Sequence, residues 1–479
     1  MKKEELFKAM EDIDDKSIEK AGSYKAVRKR PAWVKWGLPA VCAALILGVL
    51  FRYPVKTPGG GTAGGSAGIL AVEAQYPDPV AENMSAQEFM DSDAHWDWWD
   101  KYHDQLSNAT VHQETLREYY ASIMGNLLVS KDENTVCSPL NIYTALAMLA
   151  EVSDGNTRKQ ILDVLGVQDI GTLRRNIKEL WENNYVNTPS LKSTLANSLW
   201  LNDSVTYNQN TLKTLAEEYY ASSFSGRPGT EEMNEALRAW TDRNTGELLK
   251  DQTKNMKLDP NTVLALVSTI YYKASWTDVF YPESTAQEIF HGIKGDTTVD
   301  MMHKSDTMEV YKGKNFTALS LNLTDSGAMY FYLPHEGMDV NVLASDPEVF
   351  SALEFSEGGN WSYPEVHLSV PKFKVSADTD LIDTLKELGI TDALDPSAAD
   401  FTPVTEEEKS LYISSAEHAA LVEIDENGVT GAAYTMLAMT EGAALPSDEI
   451  DFVLDRPFMF IVTGRDGSIL FSGIVRNIE

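Results

Sequence analysis

Residues 261–276 read "NTVLALVSTIYYKASW". The run is rich in β-branched and aromatic residues and holds one charge, Lys273, so it reads as a buried strand. On its N-terminal side the pattern is different. "ETLREYYASIMGNLL" (114–128) and "LNIYTALAMLAEVS" (140–153) carry apolar residues at helical spacing, "NTRKQILDVLG" (156–166) ends in a glycine suited to a helix stop, and residues 210–224 also read as helix. On its C-terminal side "GAMYFYLP" (327–334), "YPEVHLSVPKFKV" (363–375) and "FMFIVTG" (458–464) read as further strands. Helices come first and strands dominate later without βαβ alternation, which predicts an α+β body running from about residue 108 to the end. No repeat with a period of 20–50 residues is visible.

The chain has 479 residues, 43% of them apolar and 10% aromatic, enough for a large core. Its 72 acidic and 40 basic residues give a net charge of −32, which would repel a phosphate backbone and argues against nucleic-acid binding. The charge is uneven: residues 1–35 hold ten Lys/Arg and seven Asp/Glu, leaving 30 against 65 for the rest. Two cysteines, Cys42 and Cys137, exclude a disulfide framework and a thiolate metal site.

Residues 36–51, "WGLPAVCAALILGVLF", carry no charge and follow the basic stretch "KAVRKRPAWVK" (25–35). With Trp33, Trp36 and Tyr53 as interfacial types, the pattern predicts a transmembrane helix over 33–53, a cytoplasmic segment over 1–32 and the acidic body outside the membrane. A cleaved signal peptide is the competing reading, but no small-x-small cleavage pattern follows the run directly. Residues 54–107 read as a linker: "TPGGGTAGGSAG" (57–68) has tether composition, and "HWDWWDKYHD" (95–104) is either a short helix packed on the body or a juxtamembrane spacer. Gly64 to Gly68 matches G-x-S-x-G, yet no strand precedes it and no helix pattern follows, so it reads as linker.

Signatures of catalysis are missing from the sequence. There is no HExxH, Walker loop or GxGxxG after a strand, so neither a metal nor a nucleotide cofactor is implied, and the chain does not read as an enzyme. His95, His103 and His112 read as solvated surface, whereas His418 precedes the alternation "AALVEI" and reads as a core histidine.

Several segments, in order across residues 108–479, resemble the serpin family of protease inhibitors. "NTVCSPLNIYTALAMLAEVSDGNTRKQILDVLG" (134–166) is similar to the family's second and third helices, "LANSLWLND" (195–203) and "STIYYKASWTDVF" (268–280) to strands of its central sheet, and "FVLDRPFMFIV" (452–462) to its C-terminal signature. The resemblance implies a fold of three β-sheets with about eight or nine helices and an exposed reactive-centre loop, in a monomer. It also implies a mechanism: a protease is acylated while cutting the loop, and the cut loop enters the central sheet as a new strand.

On that reading "EIDENGVTGAAYTM" (423–436) is a hinge, comprising Glu426, Gly428, Val429, Thr430, Gly431, Ala432 and Ala433. With Gly428 as the pivot, Val429, Gly431, Ala433, Thr435, Leu437 and Met439 would face the core, a set without charge or proline. Roughly a dozen new backbone hydrogen bonds at ~1 kcal/mol each would release on the order of 10 kcal/mol, comparable with the stability of a domain. Val429 and Gly431 depart mildly from the family's usual Thr or Ser and Ala. Ser138 and His418 match the family's shutter, where strands must part. Asn141 and Ser268 stand there with their residue types exchanged, which suggests that the two trade hydrogen-bonding roles. Trp276, Lys372 and Glu426 match the breach, where insertion begins.

The family's usual interval places the scissile bond between Gly442 and Ala443; the loop is longer than usual, which widens the window to Met439, Thr440, Glu441 and Ala444. No Lys or Arg lies between Gly428 and Arg456, which excludes trypsin-like targets. The resemblance therefore implies a target serine protease of elastase-like or subtilisin-like specificity, with cysteine proteases as further targets and no cofactor. The rival is a non-inhibitory serpin acting as a surface binding protein. The anchor, the few cysteines and the absence of a conventional cleavable signal fit a bacterial surface protein.

Overall fold

A computed structural model describes residues 43–52, 69–111, 113–354, 359–405, 411–429 and 448–478. Three sheets form the body, as the resemblance implied: nine, seven and four strands. The nine-stranded central sheet comprises β1 (Ala43–Arg52), β2 (Ile69–Val72), β3 (Val186–Asn187), β4 (Leu191–Asn202), β5 (Ala221–Gly226), β6 (Thr262–Ser275), β7 (Phe373–Asp380), β8 (Tyr412–Ile424) and β9 (Gly428–Val429). Its order is β7-β8-β1-β6-β4-β5-β2, with β9 paired to β6 and β3 to β4.

Ten α-helices occur among the described residues, against the eight or nine implied: α1 (Ala86–Met90), α2 (Asp93–Ser107), α3 (Gln113–Leu127), α4 (Pro139–Glu151), α5 (Gly155–Val164), α6 (Ile170–Asn184), α7 (Gln209–Glu218), α8 (Glu231–Asn244), α9 (Lys250–Thr253) and α10 (Ile382–Glu387). Among those residues no helix is long and apolar enough to cross a membrane.

The sheet is covered on both faces, which explains the unbroken apolar character of β6. Every residue of α4 is buried, so this helix needs no polar face. A second cluster joins Met233 and Leu237 of α8 to Trp200, Ala265, Val267 and Leu421 of the sheet. Nine successive residues at the start of β6 are therefore buried, and alternation appears only after them.

Four sequence expectations are corrected. Residues 43–52, expected within a helix over 33–53, form strand β1; the rest of that span lies outside the described residues. An uncharged apolar run suits a membrane helix, but it also suits the gap between β6 and β8, whose facing edges supply hydrogen-bond partners on both sides. The linker ends earlier than expected, since residues 69–107 contribute β2, α1 and α2 to the body. Ser85 and Glu88 form a reciprocal cap on α1, and Ser92 caps α2. The stretch 210–224 divides into nearly all of α7 and the start of strand β5, because Ala221–Gly226 aligns parallel to β4. His95 is buried rather than solvated, its Nε2 3.0 Å from Asp325 Oδ1.

Candidate functional site

Two strands, β6 and β8, frame a slot one strand wide. Serine and histidine side chains mark its middle. Ser138 caps α4 by accepting from the Asn141 N–H at 3.3 Å, with Pro139 at the first helical position, so the start of the helix is fixed against the sheet. Asn141 Nδ2 donates to the Ser268 carbonyl at 3.1 Å, and Ser268 Oγ donates back to Asn141 Oδ1. The two residues that stand exchanged relative to the family pattern are thus in direct reciprocal contact.

His418 lies across the slot on β8, completely buried. The Ser138 N–H donates to its Nε2 at 3.2 Å, which makes Nε2 the acceptor and leaves the ring proton on Nδ1. Nδ1 has no partner among the described residues. Burial pushes the imidazole down to about 3 from its ordinary 6.5, so the ring is neutral at physiological pH.

At the top of the slot the turn after β8 is held by Trp276, which is buried. Trp276 donates from its backbone N to Asn427 O at 3.0 Å and from Nε1 to Asp425 O at 2.9 Å. The Asp425 carboxylate accepts from the Asn427 N–H at 2.8 Å, an Asx turn. Gly428 has φ +141°, and a Cβ there would lie 2.5 Å from the Ala274 carbonyl oxygen and 2.7 Å from the Trp276 nitrogen. Only glycine fits. The chain then pairs with the upper end of β6, Gly428 opposite Ser275 and Val429 opposite Ala274.

Glu426 faces Lys372 at 3.0 Å and accepts from Thr285 Oγ1 at 2.9 Å; Asp300 lies 3.5 Å from the same ammonium. Burial alone would raise the Glu426 carboxyl, but its own backbone N–H, Lys372 and Thr285 outweigh that and hold it below the usual range. Burial likewise opposes the Lys372 ammonium, and Glu426 with Asp300 outweighs it and raises it.

The structure therefore brings Ser138, Asn141, Ser268 and His418 together in the middle of the slot and Trp276, Lys372, Glu426, Gly428 and Val429 at its top. Thr430, Gly431, Ala432, Ala433 and the window Met439, Thr440, Glu441, Gly442, Ala443, Ala444 lie outside the described residues. Sequence reading missed Asp425, Thr285 and Asp300, whose roles arise from distant elements; for Asp425 the signal was present in the turn residues of "DENG" (425–428). It also missed β1, which lies in the slot itself.

A model of the family described as "Serpin (serine protease inhibitor)" matches residues 117–478. The chain belongs to the serpin family. Mouse neuroserpin is 28% identical over 403 residues, covering 78% of this chain and 93% of the relative. Among solved structures, the thermophilic serpin tengpin in its native state matches with a TM-score of 0.66 at 23% identity, covering 77% of this chain and 96% of that one. Human thyroxine-binding globulin, in a complex with thyroxine, matches with a TM-score of 0.63 at 24% identity, covering 76% and 96% respectively. Serpins are in general protease inhibitors rather than catalysts.

Proposed function

We propose that this serpin inhibits serine endopeptidases as a suicide substrate, its cleaved loop entering the slot between β6 and β8 while the acylated protease is trapped. One observation carries the reading: the hinge has already begun the required pairing, with Gly428 and Val429 on the edge of β6. The residues after it that would turn inward carry no charge and no proline, so the ladder can continue. The absence of Lys and Arg between Gly428 and Arg456 favours an elastase-like or subtilisin-like target cut between Gly442 and Ala443 or within 439–444, with cysteine proteases as secondary targets. The charge split between residues 1–35 and the acidic remainder supports a membrane-tethered protein with its body outside.

A second reading has its own observation. Strand β1 already occupies the slot, which favours a binding protein whose loop never enters, and thyroxine-binding globulin shares the fold while binding thyroxine. Incubation with an elastase separates the two. Inhibition gives a covalent complex that survives denaturing electrophoresis, whereas cleavage without a complex refutes it.

A further inference from the structure

We propose that residues 43–52 are a built-in occupant of the strand slot, and that this occupant exchanges between the slot and a lipid bilayer.

Its placement is specific. β1 pairs antiparallel with β6 from Ala43 opposite Tyr272 to Phe51 opposite Leu264, and antiparallel with β8 from Ala44 opposite Leu421 to Arg52 opposite Tyr412. Leu47 stands in one row with Ser268 on one side and His418 on the other, so β1 passes between the shutter residues. It is central to the sheet, with no exposed edge.

The hinge uses the same edge of β6. Val429 stands opposite Ala274 and Ala43 opposite Tyr272, in the same antiparallel sense, with one row, Lys273, between them. Continued row by row, the register of Val429 would set residue 431 opposite Tyr272 and residue 439 opposite Leu264, the rows held by Ala43 and Phe51. Each row of β6 has one free edge, so the two segments cannot both take it. Full loop entry requires β1 to leave; this consequence rests on the inhibitory reading above.

A destination is written in the same residues. The uncharged run 36–51 follows Lys25, Arg28, Lys29, Arg30 and Lys35, a combination that partitions into an anionic bilayer. In lipid the segment must satisfy its own backbone as a helix, and in the slot β6 and β8 satisfy it as a strand. The sixteen residues 53–68, six of them glycine, reach up to about 55 Å when extended, enough for β1 to depart while β2 stays paired to β5.

Hydrogen exchange on the full chain tests the exchange directly. Without lipid, amides of 45–50 and the facing amides of β6 and β8 should be protected like those of β4. Addition of phosphatidylcholine vesicles containing a minority of phosphatidylserine should raise exchange along the facing edges of β6 and β8 by about tenfold or more. The same addition should accelerate covalent complex formation with an elastase. Ile46→Pro, which removes a ladder N–H, should expose those edges without lipid, and Ile46→Val should not. If 45–50 exchange like unstructured chain without lipid, or if vesicles leave the slot protected, bound or not, the proposal is overturned. If vesicles open the slot and no covalent complex forms, the occupant stands and the inhibitory reading falls.

Discussion

Acidification should weaken the middle of the slot through one residue, His418. Its imidazole is buried and neutral, with a folded value of about 3 against 6.5 in the unfolded chain. Because the folded value is depressed, the unfolded state takes up the proton first. The contribution is whole above 6.5 and is lost progressively as the pH falls from there towards about 3. Each pH unit below the unfolded value costs ~1.4 kcal/mol, so a fall to pH 5 costs about 2 kcal/mol from this ring alone. Other groups titrate over the same interval, so the measurement is a double difference: unfolding free energies of wild type and His418→Gln at pH 7.5 and pH 5. A glutamine carbonyl can accept the Ser138 N–H that His418 Nε2 now accepts, without gaining a proton. Wild type should lose about 2 kcal/mol more than the variant. Equal losses, within about 0.5 kcal/mol, would show that the ring is not held neutral by burial.

Four further outcomes test neighbouring parts of the molecule. Thr435→Arg would place a charge opposite Ser268 on loop entry; cleavage by the target should be unchanged while the covalent complex falls about tenfold, and undiminished complex refutes the register. Gly428→Ala forces a Cβ against the Ala274 carbonyl at a φ of +141°, which should cost about 1–3 kcal/mol and abolish amide protection at Val429 and Trp276, read by hydrogen exchange. Lys372→Ala should cost about 1 kcal/mol of unfolding free energy, because the lysine side chain is 32% exposed and partly screened, while Glu426, 12% exposed, keeps its contact with Thr285; a loss several times larger refutes that balance. His95→Ala leaves the buried Asp325 carboxylate with Ser190 Oγ and should cost about 2–3 kcal/mol, whereas Asp325→Asn, which keeps an acceptor, should cost less in the same unfolding assay.

Those positions differ in how far the sequence exposes them. The run 261–276 is legible as a buried strand because its neighbours on both faces demand apolar residues, and that demand is written locally. His418 is legible for the same reason, since it stands beside an apolar alternation. His95 is not. Its helix carries acidic and aromatic residues around the whole circumference, and its burial depends on Asp325, 230 residues away. Asp325 is itself held at φ +60° in the turn between the strands Phe316–Asn322 and Ala328–Pro334, and it also accepts from Ser190 at 2.6 Å. No window of sequence contains both partners. The Lys372–Glu426 contact spans 54 residues, still beyond any local window, and only the family resemblance pointed to it.

The segment 43–52 shows a limit of another kind. Hydropathy measures whether side chains avoid water, and both a bilayer and the interior of a sheet answer that question alike. What separates the two environments is the backbone: a membrane helix closes its hydrogen bonds within itself, whereas a central strand needs an open edge on each side. Those edges belong to β6 and β8, more than 200 residues downstream. Whether an uncharged run becomes helix or strand is therefore decided by what the rest of the chain leaves unpaired. A serpin sheet leaves one position for an added strand, between β6 and β8, which gives any uncharged segment within tether range a second place to go.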